Sequence, residues 1–179
     1  MRNLFVHLSL VFGFFLGVFG SGCRGNANAQ MDSEALVQSE KSAPLFSLKD
    51  TTGQTVSLED FKGHVVFLDF WATWCPPCRA SLPAVEKLYV DYQGKNLQIL
   101  GLNVDDSDET AVAFTKDNNI PYPVLLAGNS SVAGDYGVQG IPHFVLMDGQ
   151  GRLVRAWSGY ADGFPADWRE SINQLLAPH

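Results

Sequence analysis

Histidine and cysteine are scarce in this sequence of 179 residues, which has four of the first and three of the second. Only Cys75 and Cys78 form a close pair, and the histidines are scattered along the chain. A structural zinc site needs four ligands. One cysteine pair with scattered histidines is therefore a poor zinc site, and we expect the protein to hold no metal.

Positive charge is scarce as well. The sequence has 12 lysines and arginines against 19 acidic residues, and its net charge is −7. An acidic protein is not expected to bind nucleic acid or an anionic membrane surface through charge. Apolar residues make up 46% of the chain, which is enough for the core of one globular domain. We expect that domain to be a monomer.

The only long apolar stretch lies at the N-terminus. Residues 4–19 are nearly all apolar, follow Arg2 and precede small residues, which is the layout of a secretory leader. These sixteen residues fall short of the roughly 20 that a membrane-spanning helix needs. We therefore interpret residues 1–29 as a leader for export.

Two processing sites compete within this leader. The segment Ala27-Asn28-Ala29 has the small-x-small form of ordinary leader cleavage. Cys23 follows small residues, as in a bacterial lipobox, where the cysteine becomes the lipid attachment site. An uncleaved leader that acts as a tether is the third alternative. We favour the lipoprotein, because a cysteine in a leader otherwise has no evident purpose.

The rest of the sequence divides into a short linker and one domain. Residues 30–43 are mostly polar and small and predict a flexible linker, and residues 44–179 form the domain. Its apolar patterns predict an α/β fold, a mixed sheet with helices on both faces. The predicted elements, in order, are a hairpin at 46–58, a strand at 65–71, a helix that ends before Gly94, a strand at 97–104, a helix that residues 105–108 cap and that ends near 118, a short strand at 122–126, a short helix at 130–136, a hairpin at 144–157 and a helix from Pro165.

Cys75 and Cys78 lie where the predicted strand at 65–71 meets the first long helix. The end of the strand is expected to bring Cys75 to the surface at the helix N-terminus, where free N–H groups lower a thiol pKa and make the thiolate reactive. Pro76 suits a first helical turn, because its missing N–H costs little there. Cys78 lies one turn on and can attack a mixed disulfide at Cys75, which releases the partner reduced. The pair therefore predicts electron exchange with protein thiols and disulfides, with no cofactor besides the Cys75–Cys78 disulfide.

The stretch from Val65 to Pro83, with its Trp-Cys-Pro-Pro-Cys core, resembles the thioredoxin superfamily. Within it, residues 70–80 are similar to the TlpA/ResA-like branch of bacterial extracytoplasmic, membrane-tethered thiol–disulfide oxidoreductases. The likeness covers roughly residues 43–176 and implies a thioredoxin-like fold with a central mixed sheet, flanking helices and an N-terminal hairpin. It also implies a place in the bacterial periplasm or on a membrane facing it, a membrane electron donor, and protein substrates such as apocytochrome c. The expected role is that of a reductant or isomerase of exported proteins, and an oxidant stays open because the motif does not fix the direction of electron flow.

The resemblance extends to positions around the cysteines. The pair Ile141 and Pro142 matches the cis-proline loop of the family and implies a cis bond beside the reactive cysteine. The backbone of Ile141 is then expected to pair with the substrate chain. Trp74 and Pro76 are expected to belong to an apolar docking surface for that chain. Pro83 matches the proline that kinks the first long helix.

Asp69 lies in the middle of an apolar strand, six residues before Cys75. Burial of a carboxylate there raises its pKa, which suits proton exchange with Cys78. The TlpA/ResA-like branch commonly has asparagine at this position and glutamate at the position of Ser81. The acid is therefore supplied from the strand in this chain. We interpret Asp69 as a proton relay rather than as a satisfied core aspartate.

His143 comes directly after Pro142, where family members often carry threonine. A histidine there either tunes the charge at Cys75 or faces outward without a role. Trp71, on the other side of the motif, is expected to pack in the core.

Other interpretations of the cysteine pair have less support. A structural disulfide across three residues adds little chain-entropy stabilisation. A peroxidase of the peroxiredoxin kind usually has threonine three residues before its reactive cysteine, and this chain has Ala72 there. A non-enzymatic copper carrier of this fold uses a wider cysteine spacing and a distal histidine, although two thiolates can hold Cu(I).

Overall fold

The structure is a computed structural model, and it describes residues 41–105 and 107–178. The predicted leader, most of the predicted linker and Cys23 lie outside the described residues. Within the described residues, no helix has the length and apolar character needed to span a bilayer.

The strands of the described domain form two sheets. The strands β1 (Ser47–Lys49) and β2 (Thr55–Ser57) pair antiparallel as a hairpin. The other five strands are β3 (Val65–Trp71), β4 (Leu97–Asn103), β5 (Val124–Leu126), β6 (His143–Met147) and β7 (Leu153–Ser158). They form one sheet in the order β5-β4-β3-β6-β7, in which β3, β4 and β5 are parallel and β6 and β7 are antiparallel to their neighbours. The predicted mixed sheet and N-terminal hairpin are confirmed.

Helices lie on both faces of this sheet, as predicted. They are α1 (Pro76–Asp91), α2 (Asp108–Asp117), α3 (Val132–Asp135) and α4 (Phe164–Leu176). The helices α1 and α4 pack on one face, where their side chains Leu82 and Trp168 join a buried apolar cluster. The hairpin and α3 cover the opposite face through a second cluster that includes Phe46 and Val132.

The strand β3 occupies the middle of the sheet because both of its faces are apolar. All seven of its residues are buried, and alternate side chains point to opposite faces. Phe67 and Trp71 enter the cluster under α1, whereas Leu68 and Phe70 enter the cluster under the hairpin. By the same alternation Asp69 points to the α1 side. The carboxyl end of β3 leads directly into the segment that carries the cysteines.

The domain begins earlier than residue 44, the predicted boundary. Ala43, which the sequence assigns to the linker, is buried, and its N–H donates to the carbonyl of Gly151 over 2.8 Å. The first hairpin also ends earlier than predicted, because Leu58 opens a 3₁₀ turn (Leu58–Phe61) instead of extending the strand. Ser57 caps this turn with its hydroxyl, a standard way to end one element and begin the next.

Candidate active site

The helix α1 begins at the cysteine pair. Cys75 is its N-cap residue, and the Sγ of Cys75 accepts the N–H of Cys78 over 3.3 Å. Pro76 and Pro77 open the helix, where a backbone N–H would have no helical partner. Cys75 and Cys78 are joined by a disulfide. The pair therefore lies at a strand-to-helix junction and one helical turn apart, as the sequence predicts.

Cys75 does not lie at the surface. The residue is 2% exposed and Cys78 is fully buried, so the prediction that the strand end brings Cys75 to the surface is wrong for the disulfide form. The reason is that the Sγ of Cys75 is bonded to buried Cys78 and lies 3.8 Å from the carbonyl oxygen of Ile141. Both cysteines belong to the apolar cluster under α1. The side chain that faces solvent here is the neighbouring Trp74, which is 68% exposed.

The loop before β6 faces the disulfide. The Ile141–Pro142 peptide bond is cis, which confirms what the family resemblance implies. The carbonyl of Pro142 accepts the N–H of Gly159 over 2.8 Å, whereas the carbonyl of Ile141 points at the Sγ of Cys75. Ile141 is partly exposed, so it borders both the covered sulfur and the surface.

Asp69 is fully buried on the α1 side of β3. Burial raises the pKa of its carboxyl from 3.8 to about 7, and a hydrogen bond from Tyr122 opposes that rise with a smaller effect. The hydroxyl of Tyr122 donates to Oδ2 over 3.4 Å, and Oδ1 has no hydrogen-bond partner among the described residues. The partner of Asp69 in the disulfide form is therefore Tyr122, not Cys78. A carboxyl whose pKa is raised to about 7 can gain or lose a proton near neutral pH.

Gly101 makes room for the contact between Tyr122 and Asp69. It lies opposite Asp69 in the register of β3 and β4. A Cβ at this position would lie 3.0 Å from the ring of Tyr122 and 3.1 Å from Nε1 of Trp71. Tyr122 is itself buried, and burial together with the charge of Asp69 raises its pKa well above 10. The phenol therefore stays protonated and keeps its role as a donor.

A second buried carboxyl, Asp105, holds the loop before the cysteines. Its Oδ2 accepts the N–H of Thr73 over 2.9 Å and the side-chain amide of Asn103 over 2.7 Å. Its Oδ1 accepts the hydroxyl of Thr73 over 3.0 Å. The N–H of Asp105 donates to Oδ1 of Asn103 over 3.0 Å. We call Thr73, Asn103 and Asp105 the Asp105 cluster.

His143 is buried rather than outward-facing, so the outward interpretation of this residue is wrong. His143 is 8% exposed, and its Nδ1 lies 3.0 Å from the hydroxyl of Ser158 on the neighbouring strand. It pairs with Phe70 across β3 and β6, which places its ring on the hairpin side of the sheet, away from Asp69. Burial lowers the pKa of His143. Its predicted influence on Cys75 stays a prediction.

Three further predicted positions lie in or beside α1. Trp71 is fully buried and packs against Phe114 with ring centroids 5.5 Å apart, which confirms its packing role. Pro83 lies inside α1, as the resemblance implies. Ser81 is buried, and its hydroxyl donates to the carbonyl of Cys78 over 2.8 Å. Ser81 therefore bonds to the backbone of its own helix at the position where the branch commonly has glutamate.

No metal site accompanies the cysteines in the described part of the chain. Within residues 41–105 and 107–178, no three His, Cys, Asp or Glu residues are grouped so that they could hold a metal ion. A copper carrier would therefore have to rely on the two thiols alone, after reduction of their disulfide.

Sequence reasoning missed the Asp105 cluster and Tyr122. The pattern places Asp105 in a segment that can cap α2, and the structure shows Ser107 as that cap. The available signal was an acid just past the end of an apolar strand, where loop N–H groups need acceptors. The contact between Tyr122 and Asp69 left no local signal, because it depends on the register that places Gly101 opposite Asp69.

Comparison with known proteins places this site in a known group. Residues 40–156 match the AhpC/TSA family. The thiol-disulfide oxidoreductase ResA of Bacillus thuringiensis is 35% identical over 119 residues, which are 66% of this chain and 69% of that protein. The ResA of Bacillus subtilis is 32% identical over 132 residues, 74% of each chain.

Two solved structures are also similar to this chain. A Chlorobium tepidum protein classed as thiol:disulfide interchange protein DsbE is similar with a TM-score of 0.73 and 31% identity, over 76% of this chain and 96% of that one. The exposed lipoprotein thioredoxin Etrx1 of Streptococcus pneumoniae is similar with a TM-score of 0.66 and 27% identity, over 74% of this chain and 100% of that one. The thioredoxin-like fold expected from the sequence is confirmed by these likenesses.

Proposed function

Since the chain belongs to the AhpC/TSA family and is a thiol–disulfide oxidoreductase, we propose that it reduces disulfides of exported proteins through Cys75 and Cys78. The observation that carries this proposal is the Cys75–Cys78 disulfide at the N-terminus of α1, beside the cis Ile141–Pro142 bond. Apocytochrome c is the proposed substrate because the likeness to the TlpA/ResA-like branch implies it, and its C-x-x-C-H segment carries the thiols used in haem attachment.

In the first step, the thiolate of Cys75 attacks one sulfur of the substrate disulfide. A new S–S bond joins Cys75 to the substrate, and the second substrate sulfur leaves as a thiolate that takes a proton from solvent. Because Pro76 and Pro77 have no N–H, the first N–H of α1 is that of Cys78, and it donates to the Sγ of Cys75 over 3.3 Å. This bond and the helix dipole favour negative charge on that sulfur.

In the second step, Cys78 resolves the mixed disulfide. The carboxylate of Asp69 accepts the proton of the Cys78 thiol, and the resulting thiolate attacks the Sγ of Cys75. The substrate leaves as its second thiolate, so two electrons have passed from the cysteine pair to the substrate disulfide. A carboxyl with a pKa of about 7 is present in both protonation states near neutral pH, as this transfer requires.

The substrate chain docks against the loops that flank the disulfide. Ile141 is partly exposed, its backbone pairs with the substrate, and its carbonyl already points at Cys75. Trp74 and Pro76 are exposed at the same end of the domain and contribute apolar contact area. A tryptophan buried on binding is a common source of affinity, so Trp74 is the main apolar anchor of this surface.

Each cycle leaves Cys75 and Cys78 oxidised, so two electrons must come from a donor outside the protein. We assign this task to a membrane electron donor that faces the compartment into which the protein is exported. Export follows from the leader at residues 1–29, and the lipid anchor from Cys23, both outside the described residues. The likeness to an exposed lipoprotein thioredoxin supports this location in the periplasm or on the membrane facing it.

Trapping of the mixed disulfide tests the proposal. Full-length Cys78→Ala protein, once reduced, is mixed with a peptide that carries a disulfide-bonded C-x-x-C-H segment. We expect a covalent adduct at Cys75 that mass spectrometry identifies and that added dithiol releases. The matched control, Cys75→Ala in the same background, gives no adduct. The absence of an adduct in both proteins would contradict the proposal.

Wild-type protein with both cysteines reduced separates this function from the two others. A peroxidase would consume hydrogen peroxide rapidly without any disulfide substrate, and a copper carrier would retain stoichiometric copper after mild purification. We expect slow peroxide consumption and no stoichiometric copper. Either opposite result, together with a failed trapping experiment, would replace disulfide reduction as the function.

A further inference from the structure

The loop between β3 and α1 carries the exposed Trp74 and leads into Cys75, yet its outer part is not held by apolar burial. Trp74 is 68% exposed and Thr73 is only partly buried. Hydrogen bonds must therefore fix this part of the chain. They are the bond from the N–H of Cys75 to the carbonyl of Ala72 over 3.2 Å and the two bonds from Thr73 to Asp105.

Asp105 is itself held firmly in place. It is 3% exposed, and Asn103 both donates to its carboxyl and accepts its N–H. Gly128 packs against its backbone so closely that a Cβ there would lie 1.8 Å from the carbonyl oxygen of Asp105. No residue with a side chain fits there without a shift of the backbone. The contacts of Thr73 are thus made to a rigid support at the ends of β4 and β5.

We propose that Asp105 is a positioning residue for thiol–disulfide exchange. Through Thr73 it holds the loop so that Cys75 stays the N-cap residue of α1, with its sulfur next to the N–H of Cys78 and the carbonyl of Ile141. The proposal rests on exchange at Cys75, and it does not depend on the proton-relay role of Asp69.

The physical reason is the steep dependence of reactivity on position. The Sγ of Cys75 is stabilised as a thiolate only where it lies at the N-terminus of α1 and the N–H of Cys78 points at it. Without Asp105, the N–H and hydroxyl of Thr73 lose their acceptors and the loop relaxes toward water. The sulfur then moves away from the N–H of Cys78 and the N-terminus of α1, so its acidity falls and its approach to a substrate disulfide is less well aligned.

Loss of the Asp105 charge and loss of its positioning contacts change the pKa of Cys75 in opposite directions, so the sign of the change distinguishes them. Loss of a nearby carboxylate by itself would favour the Cys75 thiolate and lower the pKa of that thiol. Loss of positioning would raise the pKa of Cys75. A variant that only weakened the fold would leave the pKa of Cys75 in the folded protein unchanged.

The test measures the pH dependence of Cys75 alkylation by iodoacetamide in reduced full-length protein, with the modified cysteine identified by peptide mass spectrometry. We expect Asp105→Asn and Thr73→Val each to raise the pKa of Cys75 and to slow its alkylation about tenfold at pH 7, since displaced reacting groups lose rate steeply. Thr73→Ser, which keeps both donors, should restore the wild-type profile. Asp108→Asn, which removes an exposed acid three residues further on, is the matched charge control and should change nothing.

An unchanged or lowered pKa of Cys75 in both Asp105→Asn and Thr73→Val would overturn the proposal. Where Asp105→Asn fails to fold, Thr73→Val alone decides, because it removes one hydroxyl and keeps the carboxyl. If trapping in the Cys78→Ala protein is normal and Thr73→Val does not change the pH dependence of Cys75 alkylation, the exchange reaction is supported and the positioning role of Asp105 is rejected.

Discussion

Asp69 and Asp105 are both buried, but their surroundings are opposite. The carboxyl of Asp105 accepts three hydrogen bonds from Thr73 and Asn103, all of 3.0 Å or less. The carboxyl of Asp69 accepts one, over 3.4 Å, and its Oδ1 has no partner among the described residues. Asp69 lies within an apolar face, whereas Asp105 lies just past a strand end.

This difference shows that burial alone does not decide what a carboxyl does. In the middle of β3 the backbone N–H groups are used by the neighbouring strands, so Asp69 finds no backbone donor and its pKa rises to about 7. Past the end of β3, the N–H of Thr73 lies outside the strand ladder and donates to Asp105, which lies just past the end of β4. One aspartate therefore has a pKa near neutrality, and the other accepts a hydrogen bond from the loop backbone.

The largest expected effect is on stability at alkaline pH. The pKa of Asp69 is about 7 in the folded state and near 3.8 in the unfolded state, so the folded protein binds the extra proton between those values. Stability therefore falls as pH rises from about 4 to about 7 and stays low above it. Asp69→Asn removes this cost and should raise the free energy of unfolding at pH 8 by up to about 4 kcal/mol, measured by urea denaturation of the oxidised protein.

Asp105→Asn should change stability in the opposite direction at the same pH. An asparagine there presents an N–H group to donors that now lack an acceptor, which costs about 2 kcal/mol. If Asp69→Asn and Asp105→Asn shifted the free energy of unfolding in the same direction at pH 8, the proposed difference between the two aspartates would be contradicted.

The second effect is on the rate of exchange. Loss of a positioned proton acceptor costs at least about 100-fold in rate, so Asp69→Asn should slow reduction of a disulfide peptide by about that factor at pH 7. Asp105→Asn should slow it less, through the position of Cys75. Stopped-flow measurement of the reduced protein gives both rates, with Asp108→Asn as the control. Wild-type rates in Asp69→Asn would remove the proton relay from the mechanism.

Substitutions at two glycines test how tightly the backbone of Asp105 is packed. Gly128→Ala forces a methyl group against the carbonyl of Asp105 and should destabilise the protein by about 2 kcal/mol, because the backbone must shift. Gly134→Ala lies in α3 with open space around it and should stabilise by about 0.5 kcal/mol. Thermal or urea unfolding measures both. Equal effects of the two substitutions would contradict the tight packing of Gly128.

The smallest effect concerns Tyr122, the one side chain that donates to Asp69 among the residues that the structure describes. Tyr122→Phe removes the hydroxyl that favours the carboxylate, so the pKa of Asp69 should rise further. We expect the midpoint of the pH dependence of exchange to shift upward by less than about one unit, since the lost bond is long. Tyr89→Phe, whose ring lies 6.1 Å from that of Tyr122, is the control. A downward shift would show that the hydroxyl does not stabilise the carboxylate.

Local patterns predicted the elements that carry the site, and long-range contacts account for what they missed. The unbroken apolar run at 65–71 and the cysteine pair after it identify β3 and the start of α1. The burial of Asp69 follows from its place in that run. Three features depend on contacts between segments distant in sequence, and no local periodicity predicts them. They are the burial of Cys75, the Asp105 cluster and the space that Gly101 leaves for Tyr122.

The most direct test of this account is the titration of Asp69 itself. Carbon-13 NMR of aspartate-labelled oxidised protein, with the Asp69 signal assigned by its loss in Asp69→Asn, follows the carboxyl from pH 3 to pH 9. We expect a midpoint of about 7, set by burial among apolar side chains. A midpoint near 4 would mean that Asp69 is already ionised at neutral pH, and the contrast between the two aspartates would be lost.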